Sequence, residues 1–160
     1  MFKQSIIYAI SLYFITFSLG TCMAEEVVQS ITLTENNKKI EMQIVKINNS
    51  LHEVMLNGKT IYKNDSSLAL ILSQYLGQGD NKYFILTEAE MTQATYRLIV
   101  IPVKGNAYVS PNFGSGTVPI LTYEPIQDRL IFNFLKSTKE FYHKTEQLWV
   151  FEKGKLKRVK

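Results

Sequence analysis

Short runs of β-forming residues, separated by turn residues, dominate the chain after residue 26. Residues 39–47 alternate between apolar and polar positions, and a period of two is typical of a strand with one buried face. Asn57-Gly58 and Lys153-Gly154 each separate two such runs, and Asn-Gly tolerates the positive φ angles of a two-residue hairpin turn. The pattern therefore predicts an antiparallel, sheet-rich domain with hairpins around both dipeptides.

One segment departs from this alternation. The polar residues 64–67 offer capping side chains, and Leu68, Ile71, Leu72 and Tyr75 then recur at helical spacing until Gly77. An apolar stripe of this length suits a helix that covers one face of a sheet. We therefore predict an α+β fold, mainly antiparallel sheet with one helix packed on it, in a single domain over residues 25–160.

The first 24 residues have the pattern of an export signal. Lys3 precedes an apolar run over residues 6–19, and the small residues around Cys22-Met23-Ala24 form a signal-peptidase motif. Cleavage between Ala24 and Glu25 would release the remaining chain, and we expect the protein in the bacterial periplasm.

Two alternatives to cleavage stay open. An uncleaved membrane anchor is disfavoured, because the apolar run is shorter than the roughly 20 residues that span a bilayer. The second alternative is a lipoprotein, since the residues Leu19-Gly20-Thr21-Cys22 resemble a lipobox in which Cys22 would carry the lipid. Cys22 is the only cysteine, so the cleaved chain would have no disulfide, which favours the bacterial envelope over an animal secretion route.

The charge balance is mild, with 18 Lys and Arg against 14 Asp and Glu, and this excess is too small to indicate nucleic acid binding. The excess gathers at the C-terminus, where we expect Lys155, Lys157 and Arg158 to face an anionic partner, either an acidic protein or an envelope glycan. The other interpretation is that these side chains protect an edge strand from aggregation.

Catalytic and metal-binding motifs are missing from the sequence. His52 and His143 belong to no paired metal-ligand motif, and the glycines around Ser115 lack the spacing of a nucleophile elbow. We therefore expect no metal, no cofactor and no enzymatic activity.

A carboxylate-based hydrolase is the alternative, because two carboxylates at a suitable separation suffice for glycoside hydrolysis. Glu88 and Glu90 would share a face of an extended segment, and Glu124 and Asp128 flank a proline. The hydrolase hypothesis requires a cleft that joins Glu88 or Glu90 to His143.

The loop over residues 111–119 is the best candidate for a recognition element, because it carries an aromatic residue on a glycine-containing segment held by prolines. We expect Asn112, Phe113, Ser115 and Thr117 to contact a protein partner. The alternative for Phe113 is that it folds back onto the end of the core.

Four short motifs resemble those of small exported proteins of Gram-negative bacteria. They are YFIL at 83–86, ATYRLI at 94–99, VSPNFG at 109–114 and WVFEKGK at 149–155. Some proteins of this kind lie beside toxin or secretion genes and are regarded as immunity proteins. The resemblance implies a non-enzymatic module that binds and inhibits a partner such as a toxin or an envelope enzyme. A structural or stress-related envelope protein without a dedicated ligand is the alternative.

Overall fold

Twelve β-strands make up the secondary structure of the computed structural model, which describes residues 25–35, 38–65, 69–76, 81–89, 93–136 and 145–160. In chain order they are β1 Glu26–Glu35, β2 Lys38–Lys46, β3 His52–Leu56, β4 Lys59–Asn64, β5 Ala69–Leu76, β6 Lys82–Ala89, β7 Ala94–Ile101, β8 Tyr108–Val109, β9 Ile120–Glu124, β10 Arg129–Phe134, β11 Gln147–Glu152 and β12 Lys155–Arg158. The chain divides into two compact units, Met1–Ser67 and Leu68–Lys160.

The described part of the first unit is a meander of four antiparallel strands in the order β1-β2-β3-β4. Its alternating pattern buries Met42, Ile44 and Val54. Asn57 and Gly58 have φ angles of 50° and 77°, as a type I′ turn requires. The Asn57 side-chain oxygen also accepts a hydrogen bond from the Glu41 backbone N–H at 2.8 Å. The first predicted hairpin is confirmed.

The second unit is a sandwich of two four-stranded antiparallel meanders, ordered β5-β6-β7-β8 and β12-β11-β10-β9. Alternate residues of both sheets meet in one aromatic-rich core, in which Tyr96 and Phe134 have ring centroids 5.2 Å apart. The buried members of this core are Tyr83, Ile85, Tyr96, Leu98, Val100, Phe113, Leu130, Phe132, Phe134 and Phe151. The second predicted hairpin is also confirmed, since β11 and β12 pair across Lys153-Gly154.

The predicted helix, and with it the α+β fold class, is wrong. Residues Ala69–Leu76 form the edge strand β5, and the described ranges contain no helix, so the fold is all-β. A β-bulge between Leu72 and Gln74 explains the misleading spacing. Leu72 pairs with Leu86, whereas Tyr75, three positions later, pairs with Phe84. The extra residue of the bulge thus creates an interval of three within a strand, which imitates a helical repeat.

Candidate functional site

The loop over residues 111–119 runs along β7 and is tied to it by backbone hydrogen bonds. Phe113 and Tyr96 exchange two of these bonds, at 2.8 and 3.2 Å, and the Gly116 N–H donates to the Ala94 carbonyl at 2.9 Å. These bonds turn the Phe113 side chain inward, where it is 2% exposed. Its ring lies 4.7 Å from that of Phe132 and 5.8 Å from that of Trp149, measured between centroids.

Phe113 is therefore a core residue, the second of the two arrangements that the sequence allows. The other loop residues proposed as contacts are nearer to solvent: Asn112 is exposed, and Ser115 and Thr117 are half-buried. The Thr117 hydroxyl donates to the Leu135 carbonyl at 3.4 Å. The loop covers one side of the sandwich. Its aromatic side chain points into the core, where a partner protein cannot contact it.

The basic C-terminal residues lie on β12, at the edge of the β9–β12 sheet. Leu156 packs against the core, so the alternating Lys155 and Lys157 point to the opposite, solvent side. Arg158 pairs with Trp149, and its side chain donates to the Lys160 carbonyl at 2.9 Å. The three predicted partner-binding cations are thus divided between the two faces of the strand.

The solvent side of the β9–β12 sheet, which we name the open face, carries an apolar centre. Cross-strand pairing places Ile131 beside Val150, and Val150 beside Lys157. Neither Ile131 nor Val150 is fully buried. Ile120 and Val159 lie toward one end of this face and are 54% and 63% exposed. Contiguous exposed apolar side chains with a polar rim are typical of interaction surfaces.

The charges around the open face are unequally satisfied. Glu124 forms a salt bridge with Arg129 at 2.5 Å, and Glu146 forms one with Lys160 at 2.8 Å. Within the described part of the chain, neither Lys155 nor Lys157 forms a salt bridge. Glu152 lies beside Lys155 in the cross-strand register and on the same face, so Lys157 is the cation of the β12 edge that is left open to an anionic group.

A hydrogen-bonded cluster lies at one end of the sandwich, around the Asp128 carboxylate. One carboxylate oxygen accepts from the hydroxyls of Tyr83 at 2.8 Å and Tyr123 at 3.0 Å. The other accepts from the Asn81 side-chain amide at 2.9 Å. Burial, and then the bond to Asp128, raises the pKa of Tyr83 far above its usual value, so this phenol remains a donor.

Asp128 adopts a φ of 44°, in the left-handed region that most residues avoid. The residue ends the turn between β9 and β10, where glycine would be the least strained choice. Aspartate has a carboxylate, which glycine lacks. This carboxylate links the turn to the start of β6 through hydrogen bonds from Asn81 and Tyr83. The three bonds offset the conformational cost and hold this end of the sandwich together.

We expect Asp128→Ala to lower the free energy of unfolding by about 2–3 kcal/mol, because the buried Tyr83 hydroxyl loses its acceptor. Asp128→Asn keeps one acceptor oxygen and tolerates positive φ, so its cost is about 1 kcal/mol. Urea unfolding followed by the fluorescence of Trp149, the single tryptophan, measures both values. The neighbouring exposed Gln127→Ala is the control, and equal losses for Gln127→Ala and Asp128→Ala would contradict the assigned role.

Two adjoining depressions of about 650 and 440 Å³ open beside this cluster, and we name them together the end groove. Both are lined by Asn81, Pro102, Lys104 and Asp128, and the second extends to Lys153 on the C-terminal hairpin. Among the residues that the structure describes, Asp128 is the only acidic side chain in the lining. The groove is therefore lined by the hydrogen-bonded Asp128 cluster and by two lysine residues.

Among the described residues of the hydrolase hypothesis, Glu88 is buried away from solvent, and Glu124 and Asp128 lie in another part of the fold. Glu88 is 2% exposed and accepts a hydrogen bond from Arg97 at 2.8 Å. Glu124 is paired with Arg129, and only Asp128 lines the end groove. Glu90 and His143 fall outside the described residues. No cluster of three or more potential metal ligands occurs within the described ranges.

The predicted leader, including Cys22 and Ala24, also lies outside the described residues, and Glu25 is exposed ahead of β1. None of the described segments is a helix long and apolar enough to cross a bilayer.

Sequence reasoning named Lys155, Lys157 and Asp128, but it missed the remaining parts of both surfaces. The hydrogen-bond partners of Asp128 lie as many as 47 positions away in the sequence, and no local motif indicates them. The alternation of residues along β10 and β11 could have indicated the open face. Apolar residues between two core positions of a strand point to the opposite side of the sheet, toward solvent. Comparison of the chain with protein-family models, with curated proteins and with solved structures finds no match.

Proposed function

We propose that this protein is a non-enzymatic binding domain that docks a protein partner on the open face. The observation that carries the proposal is the pair of partly exposed side chains Ile131 and Val150 at the centre of the open face, beside Lys157, which forms no salt bridge in the described part of the chain. Core positions of stable interfaces are apolar, and their rims are charged and wet. The open face has this composition.

The charge of the open face determines which partner it fits. Lys157 lies beside Val150 and forms no salt bridge in the described part of the chain, whereas Lys155 lies beside Glu152 and Glu124 on the opposite edge is neutralised by Arg129. A second copy of this chain would offer Lys157 no surplus of acidic side chains, because each described carboxylate of the open face lies beside a cation. The complementary partner is therefore a protein with an apolar patch beside acidic side chains, and the lysines would speed its association.

This proposal keeps the partner-binding role that the resemblance implies and moves it from the 111–119 loop to the β9–β12 sheet. If export is correct, the partner is a protein of the bacterial envelope, such as a toxin or a hydrolase whose activity the complex blocks. Inhibition would follow when the bound domain covers the active site of that partner.

The test has two stages. Wild-type and Val150→Asp proteins are immobilised and incubated with envelope extract, and a protein retained by the wild type alone is identified and purified. Its Kd is then measured by calorimetry against the wild type, Val150→Asp, Lys157→Glu and the control Lys59→Glu, which alters an exposed lysine of the first unit. Urea unfolding confirms that each variant is folded.

We expect Val150→Asp to weaken binding by about 30-fold, because it places an unpaired charge at the centre of the interface. Lys157→Glu should weaken binding by about 10-fold at low salt and less at high salt, because ions screen an exposed charge. The control should stay within about twofold of the wild type. An unchanged Kd for Val150→Asp, or no retained partner, would reject the open face. A homodimer that Val150→Asp dissociates would replace the proposed partner with a second copy.

A further inference from the structure

The end groove is separate from the open face and has its own chemistry. Lys104 and Lys153 are exposed residues of its lining, and in the described part of the chain neither lysine has an ionic partner. Asp128 forms the floor and already accepts three hydrogen bonds, leaving about one of its four lone-pair positions for a ligand hydroxyl. The groove therefore favours an anion that also carries hydroxyl groups.

One wall of the groove is aromatic. Tyr108 is 39% exposed, and partial burial raises the pKa of its phenol, so the ring is uncharged. The amide of Gln127 and the ring of Pro102 complete this region with a hydrogen-bonding group and an apolar surface. A flat ring beside amide and carboxylate groups matches the alternating apolar and hydroxyl surfaces of a sugar.

Backbone strain at Lys153 is a second, independent observation. Lys153 has a φ of 50° at the first position of its two-residue turn, where Asn, Asp and Gly are the residues that tolerate positive φ. The matching position of the other hairpin is Asn57, also with a φ of 50°. The other hairpin makes the same turn with asparagine, so the turn itself does not require a lysine. The lysine in the strained conformation is a residue of the groove lining.

We propose that the end groove binds a saccharide that carries a carboxylate. Lys104 and Lys153 would hold the carboxylate, Asp128 and Gln127 would bind ring hydroxyls, and Tyr108 would pack against the sugar ring. Each depression, taken by itself, falls in the size range of small-ligand sites. This inference does not depend on the proposed protein partner, because no residue of the groove belongs to the open face.

The test uses the full chain and three probes: digalacturonic acid, the neutral digalactose and inorganic phosphate. Binding is measured by calorimetry for the wild type, Lys153→Asn, Lys104→Gln and the control Lys59→Gln. The Val150→Asp variant of the open face is included, so that failure of the groove and failure of the protein-binding face are distinguished. Thermal unfolding of each variant is recorded in parallel.

Digalacturonic acid should bind the wild type with a Kd of about 1 mM or below, and digalactose and phosphate should bind at least about tenfold more weakly. Lys153→Asn should weaken binding about tenfold and yet raise the melting temperature by about 3–6 °C, because asparagine relieves the turn. Lys104→Gln should weaken binding similarly, and Lys59→Gln and Val150→Asp should leave it unchanged.

Three results would overturn the proposal. The first is that no binding is measured when the concentration of digalacturonic acid is about tenfold above the expected Kd. The second is equal binding of digalactose or of phosphate, which would remove the requirement for a carboxylate or for a sugar. The third is wild-type affinity in Lys153→Asn, since the strained lysine would then have no role in the ligand site.

Discussion

Phe113→Ala is expected to lower the free energy of unfolding by about 3–5 kcal/mol. The side chain is 2% exposed and packs against the rings of Tyr96, Phe132, Phe134 and Trp149. Truncation removes the apolar surface and leaves a cavity that these rings, held on two different sheets, cannot fill by collapsing. Aromatic edge contacts are lost as well.

The measurement is urea unfolding followed by Trp149 fluorescence, because this indole lies beside the altered site. The control is Val118→Ala in the same loop, where the side chain is 67% exposed and the cost should stay below about 0.5 kcal/mol. Phe113→Leu retains most of the volume and should cost about 1–2 kcal/mol, which keeps the prediction testable if the alanine variant does not fold. A fully stable Phe113→Ala protein would show that the ring is not part of the core.

The elements specified by neighbouring residues were predictable from the sequence. Both hairpins are examples, because Asn57-Gly58 and Lys153-Gly154 set the turn, and strand alternation on either side sets the register. The inward positions of β10 were equally readable, since Phe132 and Phe134 follow a period of two. Local chemistry and tertiary structure agree in these segments.

The β5 strand was not predictable by the same reasoning. Its bulge at Leu72 and Gln74 exists because β6 pairs with both halves of the strand, and this pairing lies beyond the segment itself. A periodic pattern of eight residues contains too little information to distinguish a bulged strand from a short helix. Tertiary pairing therefore decided the conformation against the local spacing.

The candidate surfaces divide in the same way. The charges on β12 were visible as a cluster of lysines, but their separation onto two faces required the register with β11. The end groove joins Asn81, Lys104, Asp128 and Lys153, which are far apart in sequence and meet only when the two sheets pack. Physical patterns within one segment indicate strands and turns, whereas a ligand site between segments depends on the complete topology.

Gly114→Ala should be nearly as destabilising as Phe113→Ala, at about 3–5 kcal/mol, although it adds only a methyl group. Gly114 has a φ of 58°, so an alanine there adopts a strained backbone conformation. The added Cβ would also overlap the ring of Phe134, a fully buried core side chain. That ring cannot move away without disturbing its contacts with Phe113 and Tyr96.

Gly154→Ala separates the two causes, because Gly154 has a similar φ of 72° and lies in the same unit. An added Cβ there would lie 3.9 Å from the Tyr108 hydroxyl, an ordinary contact, so only the backbone cost of about 1–2 kcal/mol applies. Urea unfolding of both variants, followed by Trp149 fluorescence, gives the difference, which we assign to overlap with Phe134. Equal losses at the two glycines would show that the loop moves away from Phe134 at little cost. The loop would then be a flexible covering, and the close packing that turns Phe113 inward would have no energetic basis.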